Sequence, residues 1–155
     1  MYKYSDNNEN NDIILHDCRA DKLLIGEKSI SFVFGEGFYV SGKNRNNYNK
    51  KLSYTDKSEV IFKTLYHTDT DVTVYIFSET DKEDTAIRKS ISAKQLAEMV
   101  NSGMELEFLY SYKGYQSYIF ECWLWSDTEP FHKECVIIIS AGDVLYNWNV
   151  LYVDE

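Results

Sequence analysis

The chain has 155 residues, 44% of them apolar, which is enough for one domain with a core that needs neither disulfides nor a metal. Its formal net charge of −9 disfavours binding to nucleic acid, because contacts with phosphates require an excess of Lys and Arg. The odd number of cysteines, the polar first residues and the lack of an apolar run of roughly 20 residues predict a cytoplasmic protein that makes no membrane contact.

Residues 1–12 are polar and rich in Asn, and they are predicted to form a flexible tail. Residues 13–155 are predicted to form a single globular domain. From Ile13 onward, short apolar segments alternate with polar turns such as those at 26–28 and 35–37. This spacing is typical of a meander of short antiparallel strands.

The start of the predicted domain, residues 14–38, has a strand–turn–strand pattern. Its segments are Ile14-Leu15-His16-Asp17-Cys18, Leu23-Leu24-Ile25, Ile30-Ser31-Phe32-Val33-Phe34 and Gly37-Phe38. This pattern resembles the start of small bacterial domains, some of which look like immunity proteins that neutralise the toxins of competing strains. The resemblance implies a protein-binding role and assigns no functional residue.

His16, Asp17 and Cys18 are adjacent residues of catalytic types. A histidine beside a carboxylate can act as a base, and a thiol can act as a nucleophile. Because neighbouring residues of a strand point to opposite faces, the sequence does not predict a preassembled His–Asp pair. A hydrolase that uses His16 is therefore the second alternative for function. The motifs of metal and nucleotide sites are missing, so neither a metal nor a cofactor is expected.

Residues 41–51 contain four basic residues and no acidic one, and they form the one basic segment of an acidic chain. Four Asn and one Gly in this segment favour turns over strand pairing. The segment is predicted to be an exposed, mobile loop.

The sharpest concentration of negative charge runs from residue 69 to residue 84, around and beyond a predicted strand at 72–77. Six carboxylates lie in this segment beside a single Lys. Such a surface would attract a basic protein or a cation. The candidate binding residues here are Asp69, Asp71, Asp81 and Asp84.

One helix is predicted over residues 93–102. Ser92 and Gln95 can form a capping box at its start, and Gly103 suits the left-handed position after its end. The helix can pack against a sheet through an apolar stripe of Leu96, Met99 and Val100.

Residues 105–125 predict a β-hairpin that turns at 113–115, because apolar and polar residues alternate in both strands. In the first strand, the alternation places four side chains on one face: Leu106, Phe108, Tyr110 and Tyr112. In the second strand, Trp123 and Trp125 lie on the face opposite Phe120, Cys122 and Leu124.

Two interpretations of the tryptophan pair are open. The pair lies in a core between two layers, with the helix as the second layer, or it belongs to an open aromatic surface that binds a partner. The candidate binding residues on this hairpin are Trp123, Trp125, Tyr112 and Tyr115.

The segment 135–139 is apolar on both faces, which is typical of a central strand that is covered on both sides. Together, these elements predict a mainly β fold. The expected architecture is an antiparallel β-sandwich or a partly closed barrel with one packed α-helix, and the alternative is a two-layer α+β domain.

A non-enzymatic binding protein is the leading hypothesis for function. It would be an acidic, immunity-like protein, monomeric or homodimeric, that docks on a basic protein partner. The alternative is a β-barrel that binds a small molecule or a carbohydrate between tyrosine and tryptophan side chains.

Overall fold

The structure, a computed structural model, describes residues 1–154 and is mainly β, with 55% strand and 8% helix. The strands are β1 (Tyr4–Asp6), β2 (Ile13–Ile14), β3 (Cys18–Ala20), β4 (Lys22–Gly26), β5 (Ser29–Phe34), β6 (Tyr39–Val40), β7 (Ser53–Thr55), β8 (Ser58–Thr64), β9 (Val72–Glu79), β10 (Ala86–Ile91), β11 (Glu105–Gly114), β12 (Ser117–Trp125), β13 (His132–Trp148) and β14 (Leu151–Val153). The helices are α1 (Thr68–Asp71) and α2 (Ala93–Asn101). Neither helix of the described residues has the length and apolar character needed to span a membrane.

Strand β13 joins the two main sheets, because its two halves pair with different strands. Its first half lies between β12 and β9, and its second half lies between β8 and β1. The front sheet therefore has the order β10-β9-β13-β12-β11-β3, and the back sheet has the order β1-β13-β8-β5-β4. A smaller sheet has the order β14-β7-β6-β2. This arrangement confirms the predicted antiparallel sandwich, and the sheets do not form a closed barrel.

A cluster of phenylalanines fills the space between the sheets. The ring of Phe108 lies 5.1 Å from that of Phe120, 5.3 Å from Phe32 and 5.4 Å from Phe34. Phe62 closes the cluster at 5.6 Å from Phe120. None of these five side chains is more than 3% exposed. Tilted and edge-to-face contacts of this kind stabilise a core beyond the burial of apolar area.

The predicted helix is confirmed as α2, together with its caps. The Ser92 hydroxyl accepts a hydrogen bond from the Gln95 backbone, and the Gln95 side chain accepts one from the Ser92 backbone. At the other end, the Asn101 amide pairs with the backbone of Leu23, at 2.9 Å to its N–H and 2.8 Å to its carbonyl. The helix packs against β4 and β9.

The prediction of a flexible tail at residues 1–12 is wrong. Strand β1 pairs with the end of β13, where Tyr4 lies opposite Trp148 and stacks on it with the rings 5.8 Å apart. Asp6 is only 8% exposed. The aromatic ring of Tyr4 supplies the apolar contact that fixes this polar segment to the sheet.

The prediction of an exposed, mobile loop at residues 41–51 is wrong at the centre of the segment. Asn44 and Asn47 are 1% and 0% exposed. The Asn47 amide donates to the Lys51 carbonyl at 2.8 Å, and the Asn44 amide donates to Asp12 at 2.9 Å. Asparagine side chains therefore supply the hydrogen bonds that strand pairing supplies elsewhere.

A β-bulge at Leu109 interrupts the alternation of the predicted hairpin. Phe108 and Tyr110 pair with two consecutive residues of β12, which leaves Leu109 without a partner. One extra residue moves all later side chains to the other face of the sheet. Tyr110 and Tyr112 were predicted on the face of Phe108, but they lie on the opposite face and are 59% and 54% exposed.

Candidate functional site

The outer face of the front sheet, which points away from the back sheet, is not covered by a second layer within residues 1–154. Along β9, β12 and β13, the inward side chains are buried, whereas most outward ones are half-buried or exposed. Helix α2 packs against β4 and β9 and leaves this face open. The apolar and aromatic residues of the outer face are Tyr75, Phe77, Tyr110, Tyr112, Ile119, Trp123, Trp125, Val136 and Ile138.

Two sequence interpretations are resolved by this open face. The predicted coverage of residues 135–139 on both sides is wrong, because Val136 and Ile138 are only half-buried. Trp123 and Trp125 belong to the open aromatic surface and do not lie between two layers. A sheet face in contact with water normally carries polar residues, so this open apolar face is a candidate interaction surface.

Trp123, Trp125 and His132 form an aromatic cluster at one end of the outer face. The ring of His132 stacks on Trp123, with centroids 4.4 Å apart and planes within 15°. His132 lies 4.9 Å from Trp125, and the two indoles are 5.7 Å apart. Mutual packing of the three rings provides a large, rigid surface of the kind that anchors binding partners.

Arg19 of β3 lies on the Trp125 side of this cluster. Its guanidinium carbon is 4.6 Å from the centre of the Trp125 ring, and its Nε is 3.5 Å from a carboxylate oxygen of Glu107. Glu107 also accepts a hydrogen bond from the Trp125 indole at 3.3 Å. The aromatic ring and the carboxylate together hold the cation.

A cleft of about 1100 Å³ lies on the other side of Trp123, and we name it the Trp123 cleft. Phe77, Trp123, Phe131 and His132 line it, and the β9–β10 turn at residues 79–85 forms the opposite wall. Strand register creates this site, because Trp123 pairs across to Glu134 of β13, which in turn pairs with Phe77 of β9.

Carboxylates outnumber ammonium groups around the Trp123 cleft. The acidic lining residues are Glu79, Asp81, Glu83, Asp84 and Glu134, and the basic ones are Lys82 and Lys133. Within residues 1–154, none of these seven side chains forms an ion pair. Their negative charge is therefore available to attract a cationic group.

Asp69 and Asp71 lie far from the Trp123 cleft, because they precede β9 whereas Asp81 and Asp84 follow it. The length of this strand separates the two pairs by about 23 Å. The Asp71 carboxylate accepts hydrogen bonds from two backbone N–H groups before α1, at 2.6 and 3.0 Å. Asp69 lies 3.6 Å from His67. The acidic segment is thus two separate surfaces.

Tyr112 and Tyr115 also lie outside the Trp123 cleft. Tyr112 shares the outer face but pairs with Ile119, about 13 Å along β12 from Trp123. Tyr115 lies in the hairpin turn and is 91% exposed. The structure therefore places Trp123, Asp81 and Asp84 at one cleft, with Trp125 packed against Trp123 outside it, and leaves the other four predicted binding residues apart.

The side chains of His16 and Asp17 lie next to each other, although strand alternation did not predict a preassembled His–Asp pair. Asp17 has a φ of 63°, so the chain leaves the strand conformation, and its carboxylate lies 3.4 Å from His16 Nε2. His16 Nδ1 lies 2.5 Å from the carbonyl oxygen of Leu109. Because a carbonyl oxygen only accepts, Nδ1 is the donor to Leu109, and Nε2 faces the Asp17 carboxylate on the surface of the protein.

The cysteines are expected to be unreactive in the folded protein. All three are free and buried. Burial raises the pKa of Cys18 and Cys135 to about 12 and that of Cys122 well above its usual value. Because the thiolate is the reactive form, we expect labelling by a thiol reagent at pH 8 to be below about 1% of the rate in urea. Rapid labelling of the native protein would contradict this placement.

Sequence reasoning did not select Phe77, His132, Glu134 or Arg19. Alternation in β9 places Phe77 on the face of Tyr75, which is a usable signal. Strand register determines which residues of β13 and β3 lie beside Trp123 and Trp125. A local sequence pattern does not encode this register.

Within residues 1–154, no group of three or more His, Cys, Asp or Glu side chains could hold a metal ion. Comparison with protein-family models, curated proteins and solved structures found no match to this chain. A function must therefore be argued from the Trp123 cleft and its surroundings.

Proposed function

We propose that this chain is a non-enzymatic binding protein that docks on a basic protein partner through the Trp123 cleft, as an acidic immunity-like protein would. One observation carries the proposal: the fold brings Asp81 and Asp84 beside Trp123, although the sequence separates them by a helix and two strands. Aromatic area and unpaired negative charge therefore share one concave surface. A cationic side chain would gain from both at once.

The surroundings of the cleft favour a protein over a small ligand as the partner. Half-buried apolar residues extend from Trp123 through Val136 to Ile119 and Ile138, with Glu121 beside Val136. An aromatic anchor beside a charged rim is the usual composition of a protein interface. The three free thiols support a cytoplasmic location, where such a partner would be neutralised.

Removal of two cleft charges tests the proposal directly. The partner to test is the product of the neighbouring gene, if it is basic. We expect the double variant Asp81→Asn/Asp84→Asn to bind it at least about tenfold more weakly, mainly through slower association. Surface plasmon resonance at low and high salt measures both rates, and salt should weaken the unmodified protein more than the variant.

A matched control removes the same charge elsewhere. Glu27→Gln/Asp69→Asn also deletes two exposed carboxylates, and neither lies at the cleft. Equal loss of affinity in both double variants would mean that net charge, and not the Trp123 cleft, drives binding. A naked monomer in native mass spectrometry, with no growth rescue of cells that express the neighbouring gene, would refute the proposal.

Small-molecule binding remains the second candidate, and a different cleft supports it. A cavity of about 680 Å³ lies between α2 and the inner side of the β9–β10 hairpin, lined by Ile76, Ile91, Met99 and Met104. This volume suits a metabolite-sized ligand. The ligand would bind beside the helix, because phenylalanines fill the space between the two main sheets. A thermal-shift screen detects it as a concentration-dependent rise in Tm.

A further inference from the structure

We infer that the Trp123 cleft takes arginine side chains from its partner in preference to lysine. This inference rests on the proposed function and specifies the group that the partner presents. The inference is based on the positions of the protein's own cationic side chains. Three of the sixteen Lys and Arg residues are arginines, and two of these, Arg19 and Arg88, lie on the outer face of the front sheet.

The lysines of the same sheet all lie on its other side. Lys89 pairs with Ile76, Lys113 with Tyr118 and Lys133 with Leu124, and these partners belong to the inward face. Thus the outward strand positions of the front sheet carry no lysine within the described residues, although lysine is the commoner cation of the chain and Lys82 and Lys133 line the edge of the cleft.

Both outer-face arginines stack on aromatic rings. The guanidinium carbon of Arg88 lies 4.6 Å from the centre of the Tyr75 ring, the same distance as that of Arg19 from Trp125. A guanidinium is planar and weakly hydrated, so it can lie flat on a ring while its edge donates to a carboxylate. An ammonium group is strongly hydrated and makes neither contact as well.

Trp123 repeats part of this arrangement: His132 stacks on its ring, and no Lys or Arg of the described residues lies over it. Glu134 lies directly across from Trp123, as a carboxylate does beside Trp125, and Phe77 extends the aromatic surface on the far side of Glu134. Glu134 forms no ion pair within residues 1–154, and the nearby lysines of the cleft leave it free. A guanidinium from a partner would therefore form, with Trp123 and Glu134, a second site that combines a ring and a carboxylate as the Arg19 site does.

Three short peptides test the inference. They share one glycine-rich sequence and differ only in carrying arginine, lysine or citrulline, which keeps the shape of arginine without its charge. Indole resonances in two-dimensional NMR spectra report binding at Trp123 and Trp125 separately from the buried Trp148. We expect the arginine peptide to bind at least about fivefold more tightly than the lysine peptide, and citrulline more weakly than both.

Two single variants locate the effect. Glu134→Gln should remove most of the preference for arginine and leave the unfolding free energy unchanged, because Glu134 is exposed. Glu36→Gln, which neutralises an exposed carboxylate in a distant turn, should leave the preference intact. Equal affinity for the arginine and lysine peptides, or no binding of either, would overturn the inference. The proposed function would fail separately, through loss of binding to the basic partner protein.

Discussion

Phe108→Ala should lower the free energy of unfolding by about 3–5 kcal/mol. Phe108 is 2% exposed and its ring contacts those of Phe32, Phe34 and Phe120. Truncation removes apolar burial and leaves a cavity where both sheets meet, which the surrounding rings cannot fill without losing their own contacts. Urea unfolding, followed by circular dichroism, measures the change.

Phe131→Ala is the matched control for this substitution. It deletes the same atoms from a side chain that is 52% exposed at the rim of the Trp123 cleft. We expect its unfolding free energy to change by less than about 0.5 kcal/mol. A loss below about 1 kcal/mol for Phe108→Ala would mean that the phenylalanine cluster is not the centre of the core.

Sequence reasoning succeeded where local chemistry determines structure. Ser92, Gln95 and Gly103 fixed the ends of α2, because a capping box and a left-handed glycine act within one helical turn. Alternation likewise identified β11 and β12. It failed after Leu109, since a bulge changes the face of every later residue and leaves no mark in the alternation itself.

The candidate site could be predicted only in part, because its members come from distant strands. Trp123 and Trp125 stood out by residue type, and Asp81 by charge. The position of Asp81 beside Trp123 depends on β9 pairing with β13 and on β13 pairing with β12. Those pairings join residues that are far apart in the chain, so a local pattern cannot specify them.

In two polar segments, residues 1–12 and 41–51, sequence reasoning predicted too little structure. Composition suggested disorder for residues 1–12 and mobility for residues 41–51. Each segment is ordered by a few specific contacts, such as the stacking of Tyr4 on Trp148 and the hydrogen bonds of Asn47. Each of these contacts depends on the position of a single side chain. They therefore leave the average composition of the segment, from which disorder and mobility were predicted, almost unchanged.

Asn47→Ala should destabilise the protein by about 2–4 kcal/mol, because it removes the hydrogen bonds that close residues 41–51. The Asn47 amide donates to the carbonyls of Ser41 and Lys51, and its oxygen accepts from the Asn49 backbone at 3.0 Å. Truncation at this fully buried position removes these bonds, after which the Ser41 carbonyl keeps the Asn44 N–H as a donor and the Lys51 carbonyl keeps the Ser53 hydroxyl. Asn47→Asp should destabilise the protein more than Asn47→Ala, since it places a carboxylate against the same carbonyl oxygens.

Asn46→Ala is the control and should cost less than about 0.5 kcal/mol, because the half-buried Asn46 side chain forms no hydrogen bond within residues 1–154. Urea midpoints of the three variants would separate these cases, and equal midpoints for Asn46→Ala and Asn47→Ala would show that the segment is not held by its buried asparagine.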